Sequence, residues 1–378
     1  MINLFEPIIP DESLDGVGSV FESKWLGRGQ VVKKFETSLS LFLGADDAQI
    51  TTMSCCSDAI FAILPVIKKH SNRKKVIVPA ISFPAVGSAV IEAGLDLVIV
   101  DVDADTGNIC MAALQQCFDD DVLAVFITHY GGNPVDISGL REFVGTDVFI
   151  LEDSACALGS VLENGDAVGM HGDFSCWSFD AMKLLVTGEG GAARIGNGEV
   201  MTEFKESLYL GLPASEKSGL DRAGEAAEWW SYSLNSFGRR SVFSDINAAI
   251  GLPQFKTLSV KLDRREIVRK RYIGAINRNP SLQVTARGGC KTYSNYFFTV
   301  LSDQRNQLAA YLKNNDVYST FRYYPLDKIE LFRRNSVIMD LAGSNSFSSR
   351  ALNIPIHDAL TEADIDFICK LLEEYRPS

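Results

Sequence analysis

Histidine is scarce in this chain. Only four occur in 378 residues, His70, His129, His171 and His357, too widely spaced to suggest a histidine-based metal site. The eight cysteines form no CxxC pair, and the adjacent Cys55 and Cys56 lack the ligand spacing of a zinc site. No catalytic metal is expected, and the thiols are read as reduced. There is no excess of basic charge. Lys and Arg number 36 against 48 Asp and Glu, for a net charge of -12, so most of the surface would repel a phosphate backbone and no nucleic-acid partner is expected. Long apolar runs are missing too. The longest uncharged stretch, Val76 to Ile91, carries Pro79, Pro84 and Gly87 and is short for a bilayer span. The N-terminal stretch MINLFEPIIPDESLDG has no basic residue ahead of its apolar ones, which argues against a secretory signal. Together these absences predict a soluble cytoplasmic protein that does not engage a membrane.

What is present is ordinary globular material, 46% apolar and 22% charged, enough for one large domain and a smaller one. Strand-like runs KKVIVPA, DLVIVDVD, LAVFITHY and VFILEDSA alternate with helical SDAIFAILPVIKKH, PAVGSAVIEAG and MAALQQCFDD. That alternation predicts an α/β fold with a mostly parallel sheet flanked by helices. Near-continuous Val and Ile content suits strands buried on both faces. Ligands then collect beyond the carboxyl ends of the strands, near Asp101, His129 and Glu152-Asp153. SDINAAIGLPQFKTL is expected to form one long helix, followed by a basic run KLDRREIVRKRY that reads as a solvated helix face rather than an anion-binding patch. YFFTVL, QLAAYLKNN and a closing helix capped by Thr361 and Asp364 suggest a smaller C-terminal α+β domain. The division expected is 1–252 for the large domain and 253–378 for the small one. There is no internal repeat and no low-complexity linker.

One residue demands a chemical account. In SFDAMKLLVTGEGG, Lys183 is followed by Leu184, Leu185 and Val186, and an ammonium in such company needs a partner or a use. A lysine amine becomes useful when it forms a Schiff base with pyridoxal phosphate, and that chemistry needs companions. Asp153, at the end of a strand, is placed to pair with the pyridine nitrogen. Phe83 follows an earlier strand and can stack on the ring. The turn of Cys56, Ser57 and Asp58 opens a helix whose amides can hold the phosphate, with Ser57 and Ser178 as hydroxyl donors. Each residue alone has a bland reading as a surface lysine, a loop cap, a core aromatic or a helix start. Their coincidence in one chain favours the chemical reading.

The chain resembles the DegT/StrS-type nucleotide-sugar aminotransferases, pyridoxal-phosphate enzymes of the aspartate-aminotransferase fold (fold type I). The resemblance runs from WLGRGQVVKKFE to LNIPIHDALTEADI, and its most specific block is GDFSCWSFDAMKLLVTGEGG. It implies that Lys183 is the Schiff-base lysine and Asp153 the pyridine partner. Phe83 would be the stacking ring and Ser57 and Ser178 phosphate ligands. It further implies ping-pong transfer of an amino group, with L-glutamate as donor, to a nucleotide-linked keto-deoxy sugar, in a homodimer with active sites at the interface. Trp25 and Arg28, and Arg322 and Tyr323, would then lie near sugar or nucleotide. The chain departs from the family at three points. Cys55-Cys56-Ser57 stands for Ser-Gly-Thr, Cys156 stands where Gln, His or Glu faces the cofactor's phenolic oxygen, and Arg240 replaces an Asn that reaches the phosphate from the partner subunit. The alternatives are a sugar dehydratase on the same scaffold, which would carry histidine in place of the lysine, and a non-catalytic or regulatory protein retaining the fold. GEGGAA at 188–193 also matches a dinucleotide fingerprint, but in poor context.

Overall fold

The structure is a computed structural model, and it describes residues 1–213 and 231–377. The helices are α1 (Glu12–Ser23), α2 (Gln30–Leu43), α3 (Cys56–Lys68), α4 (Pro84–Glu92), α5 (Met111–Cys117), α6 (Ile137–Val144), α7 (Gly198–Ser207), α8 (Asp245–Gly251), α9 (Leu258–Ile276), α10 (Arg305–Asn314), α11 (Glu330–Arg334), α12 (Ala342–Arg350) and α13 (Glu362–Glu374). The strands are β1 (Ile50–Met53), β2 (Lys75–Pro79), β3 (Asp96–Val100), β4 (Val122–Thr128), β5 (Phe149–Asp153), β6 (Val161–Leu162), β7 (Phe174–Ser178), β8 (Gly191–Ile195), β9 (Gln283–Val284), β10 (Cys290–Thr292), β11 (Phe298–Leu301), β12 (Ser336–Ile338) and β13 (Ala351–Ile354).

Eight strands form one sheet in the order β1-β8-β7-β5-β4-β2-β3-β12. Neighbours pair parallel from β7 to β12, and β8 runs antiparallel to both β7 and β1. The expected parallel α/β sheet is therefore present. Every residue of β4 and β7 is buried, as strands covered on both faces require. One layer of core joins α3, α4 and α7 to the sheet through Ile60, Ile63, Leu64, Val86, Val90 and Phe204. The opposite layer packs α5 and α6 through Leu114, Leu140 and Val144.

The helix expected over 244–258 is divided. Ser244 caps α8 by accepting the N–H of Asn247. Pro253, which has no N–H to donate, then forces Leu252–Thr257 into 3₁₀ turns before α9 begins at Leu258. The basic run lies on α9, and most of its charge is paired rather than simply solvated. Arg271 bonds Glu362 at 2.7 Å and also Asp366, Arg264 bonds Glu362, and Arg269 bonds Glu266 at 2.7 Å. Arg265 is buried and grips Asp358 with two bonds of 3.1 and 3.0 Å. The contacts to Glu362 and Asp366 lock α9 to α13, whose Thr361–Asp364 capping box is complete.

A second core, built on Tyr272, Phe298, Val300, Leu312, Ile365 and Leu372, joins α9, α10 and α13 to the three-stranded sheet β13-β11-β9. The chain returns once to the large sheet, where β12 pairs with β3. GEGGAA begins in a turn and runs into β8 instead of leading from a strand into a helix, so it is no dinucleotide fingerprint.

Candidate active site

Parallel sheets place the carboxyl ends of their strands at one rim, and the residues singled out above converge there. Asp153 ends β5, Ser178 ends β7, and Cys56 opens α3. The turn after β7 is tightened by a bond from the Lys183 N–H to the Asp180 carbonyl (3.0 Å). That turn folds the Lys183 side chain inward, leaving it 7% exposed. Its Nζ lies 3.7 Å from Cys156 Sγ, 3.9 Å from an Asp180 carboxylate oxygen, and 4.3 Å from the centre of the Tyr296 ring. Burial disfavours the ammonium, but the sulfur and oxygen atoms of Cys156, Tyr323, Tyr296 and Asp180 outweigh it and hold the proton well above the usual lysine range.

Asp153 is 5% exposed and accepts one backbone N–H, from Ala155 at 3.1 Å. Burial pushes its carboxyl pKa up, opposed by that N–H and by the charge of Lys183. Behind it lies a buried polar network. The Val135 N–H donates to His129 Nδ1 at 3.1 Å, which leaves the proton on Nε2 to bond Glu152 at 2.8 Å. The other Glu152 oxygen accepts from the His171 and Gly172 amides and from the Ser175 hydroxyl. Burial pushes the Glu152 pKa up, and these bonds, led by His129, bring it below the usual carboxylate range. The strand-end pair Glu152-Asp153 is thus split. One carboxylate is saturated within the protein, and the other is left nearly free at the rim.

The α3 turn approaches β8 closely. A Cβ at Gly191 would sit 2.4 Å from the Cys56 nitrogen, so glycine is required there. Ser57 lies half-buried in the first turn of α3. Asp58 accepts the hydroxyls of Ser54 and Ser241, both at 2.6 Å, and so ties the turn to the segment before α8. Phe83 caps α4, is 45% exposed, and meets the Tyr323 ring edge-on at 5.6 Å between centres. The Tyr323 hydroxyl lies 3.6 Å from Cys156 Sγ. Arg322 rests over Phe5, which stacks on Tyr296 at 5.0 Å, and its guanidinium touches Met182 Sδ at 3.4 Å. The Tyr296 hydroxyl is buried without a partner among the described residues.

The structure thus brings Lys183, Cys156, Tyr323, Arg322 and Phe83 into one chain of contacts, with Asp153 electrostatically coupled to Lys183. Three expected residues are engaged elsewhere within the chain. Arg28 bonds Glu36 at 2.7 Å and Thr52 at 3.1 and 3.2 Å, so it pins the α1–α2 loop to β1. Exposed Trp25 donates to the Arg28 carbonyl at 2.9 Å. Arg240 lies over the Tyr209 ring, and its neighbour Ser241 is the residue that reaches the α3 turn. Sequence reasoning missed Tyr296, Phe5 and Asp180; it placed His129 and Glu152 at the strand ends but not in contact with each other. Tyr296 was readable only as part of a strand-like run, and Phe5 is brought over the site from the far end of the chain.

A buried lysine, a near-free buried carboxylate, an exposed aromatic face and a tight helix start at one rim of a parallel sheet define an enzyme site of the α/β group-transfer class. Family comparison agrees. The DegT/DnrJ/EryC1/StrS aminotransferase family model matches residues 7–373, and the chain belongs to that family. It is 30% identical over 369 residues to the dTDP-4-dehydro-2,3,6-trideoxy-D-glucose 4-aminotransferase of Saccharopolyspora spinosa, covering 97% of this chain and 94% of that one. The crystal structure of the aminotransferase TlmJ from Streptoalloteichus hindustanus superposes with a TM-score of 0.88 at 32% identity, over 99% of this chain and 98% of that one. The structure of Helicobacter pylori PseC, an aminotransferase involved in the biosynthesis of pseudoaminic acid, shares the fold, with a TM-score of 0.87 at 23% identity over 98% of this chain and 97% of that one.

Proposed function

We propose that the protein is a pyridoxal-phosphate-dependent aminotransferase that moves an amino group from L-glutamate to a nucleotide-linked keto-deoxy sugar. The observation that supports it most is the pairing of buried Lys183 with buried, nearly unpartnered Asp153 at one sheet rim. The residues fit the cofactor. Asp153 would pair with the ring nitrogen, Phe83 offers an exposed aromatic face, and the Cys56–Ser57 turn with Ser178 would hold the phosphate against the amides of α3. When bound, the cofactor supplies a protonated ring that draws electrons from the donor's α-carbon.

The remaining work falls to the protein. Lys183, once its amine is free, stands as the base that takes the α-proton from the donor and later delivers one to the acceptor. Asp180 and the phenols of Tyr296 and Tyr323 set its protonation. Tyr323 and Tyr296, the latter backed by Phe5, stand around the lysine and would exclude water. Cys156, where the family carries a stronger donor, offers a weak thiol and leaves Tyr323 to hold the pocket's polarity. Arg322 and Tyr323 face the side where donor or sugar would enter. We further propose a cytoplasmic homodimer that completes each site with Arg240 of the neighbouring subunit. No described helix is long and apolar enough to cross a membrane.

The test is the visible absorbance of the protein loaded with pyridoxal phosphate, before and after L-glutamate, beside Lys183→Ala. Loss of the long-wavelength band on adding glutamate, with at least a thousandfold slower conversion in the variant, is expected. A chain that takes up no cofactor would overturn the proposal.

A further inference from the structure

Beneath Asp153 lies a buried thiol, Cys176, that the aminotransferase chemistry leaves unused, and the fold brings it against Asp153 and Cys56. In the β5–β7 register Asp153 stands opposite Cys176, so both side chains project from the same face of the sheet. Cys56, the first residue of α3, descends onto that face. Cys56 Sγ, Cys176 Sγ and an Asp153 carboxylate oxygen all lie within 4.8 Å of one another, and all three residues are buried. Cys176 otherwise makes one long contact, 3.9 Å from its sulfur to the Glu152 carbonyl. No sequence spacing announces the group, because its members come from three separate elements 97 and 23 residues apart.

Two sulfurs and one carboxylate are a soft ligand set with an open fourth position. Tetrahedral sulfur ligands about 2.3 Å from zinc lie roughly 3.8 Å apart, so side-chain rotations of about an ångström would close the set around an ion. We propose that the cofactor-free chain binds one thiophilic divalent cation through Cys56, Cys176 and Asp153, and that this cation and pyridoxal phosphate exclude one another. The exclusion follows from charge. A dication on Asp153 removes the carboxylate that a protonated ring nitrogen needs and repels that nitrogen directly. The metal site itself stands on the cysteine geometry, and only the exclusion rests on the cofactor reading above.

The experiment uses the full chain, stripped of cofactor with hydroxylamine and titrated with Cd²⁺ while the ultraviolet thiolate-to-cadmium absorbance is followed. One equivalent per chain is expected, reversed by EDTA, with affinity at least about tenfold lower in Cys176→Ser. Preloading the wild type with pyridoxal phosphate should abolish uptake, and bound Cd²⁺ should block the return of the cofactor band. The proposal is overturned if no stoichiometric thiolate absorbance appears, if Cys176→Ser titrates like the wild type, or if metal and cofactor bind together. Should the serine variant fail to fold, the wild-type competition alone decides. If the stripped chain never regains a cofactor band, the functional proposal falls, while the cadmium titration still decides the metal site.

Discussion

Replacing Asp153 with asparagine separates the role proposed for this carboxylate at the cofactor from what it costs the fold. The variant keeps an oxygen to accept the Ala155 N–H now bonded at 3.1 Å, and it removes only the charge. A hydrogen bond to a charged group contributes about 1.5–3 kcal/mol against about 0.5–1.5 for a neutral one. The charge is therefore worth about 1–2 kcal/mol to a protonated ring nitrogen, and the dry site favours the upper end. Cofactor affinity should fall about 5- to 30-fold. The cofactor-free chain should respond in the opposite sense. Burial raises the Asp153 pKa above its unfolded value, so the fold disfavours the charged form. That penalty is absent below the unfolded pKa of about 3.9. It grows as pH rises toward the folded pKa and stays constant above it. At pH 7 the stripped Asp153→Asn protein should be more stable than the stripped wild type, and the advantage should vanish at acid pH. Urea denaturation of both stripped proteins, beside cofactor titration by absorbance, measures the two effects. Cofactor affinity unchanged within twofold, or a less stable stripped variant at pH 7, would refute the reasoning.

Other perturbations test the frame and the site separately. Asp358→Ala leaves Arg265 buried without its two-bond partner and should cost about 3–5 kcal/mol in urea denaturation; a loss under about 1 kcal/mol would mean that the Asn295 carbonyl, which the guanidinium also reaches at 3.2 Å, satisfies it. Glu152 has a folded pKa below its unfolded value, so its stabilising effect is present above the unfolded pKa of about 4.3 and is lost as pH falls through the folded value. Glu152→Gln should therefore weaken the fold at neutral pH and flatten the acid side of the stability profile. Phe83→Ala removes a half-exposed ring, so it should leave stability within about 1 kcal/mol. It should weaken cofactor binding about 2- to 13-fold, the worth of about 0.5–1.5 kcal/mol of aromatic stacking.

The central strands β2 to β5 of the large sheet were legible because burial on both faces demands unbroken Val and Ile runs, as in KVIVP and DLVIV, whereas the outer strands β1, β7, β8 and β12 were not read as strands. Lys183 and Asp153, each ordinary alone, could be singled out because they occur in one chain with Phe83 and the Cys56–Ser57 turn in the order that one site would need. The break at Pro253 was written in the residues as well, yet the apolar periodicity on either side of it suggested one helix. The charge of α9 misled for a different reason. Its partners Asp358, Glu362 and Asp366 lie about a hundred residues downstream, and local sequence does not reveal which charges meet.

The sequence alone determined the class of fold and singled out Lys183 and Asp153 as the proposed Schiff-base lysine and its acid, because these readings depend on local pattern and on residue chemistry. Tertiary structure alone decided that Glu152 and not Asp153 bonds His129, that Tyr296, backed by Phe5, closes over Lys183, and that Cys56 and Cys176 meet beneath Asp153. Those outcomes depend on which strand ends and loops share a rim, a long-range relation that packing creates and no local window contains.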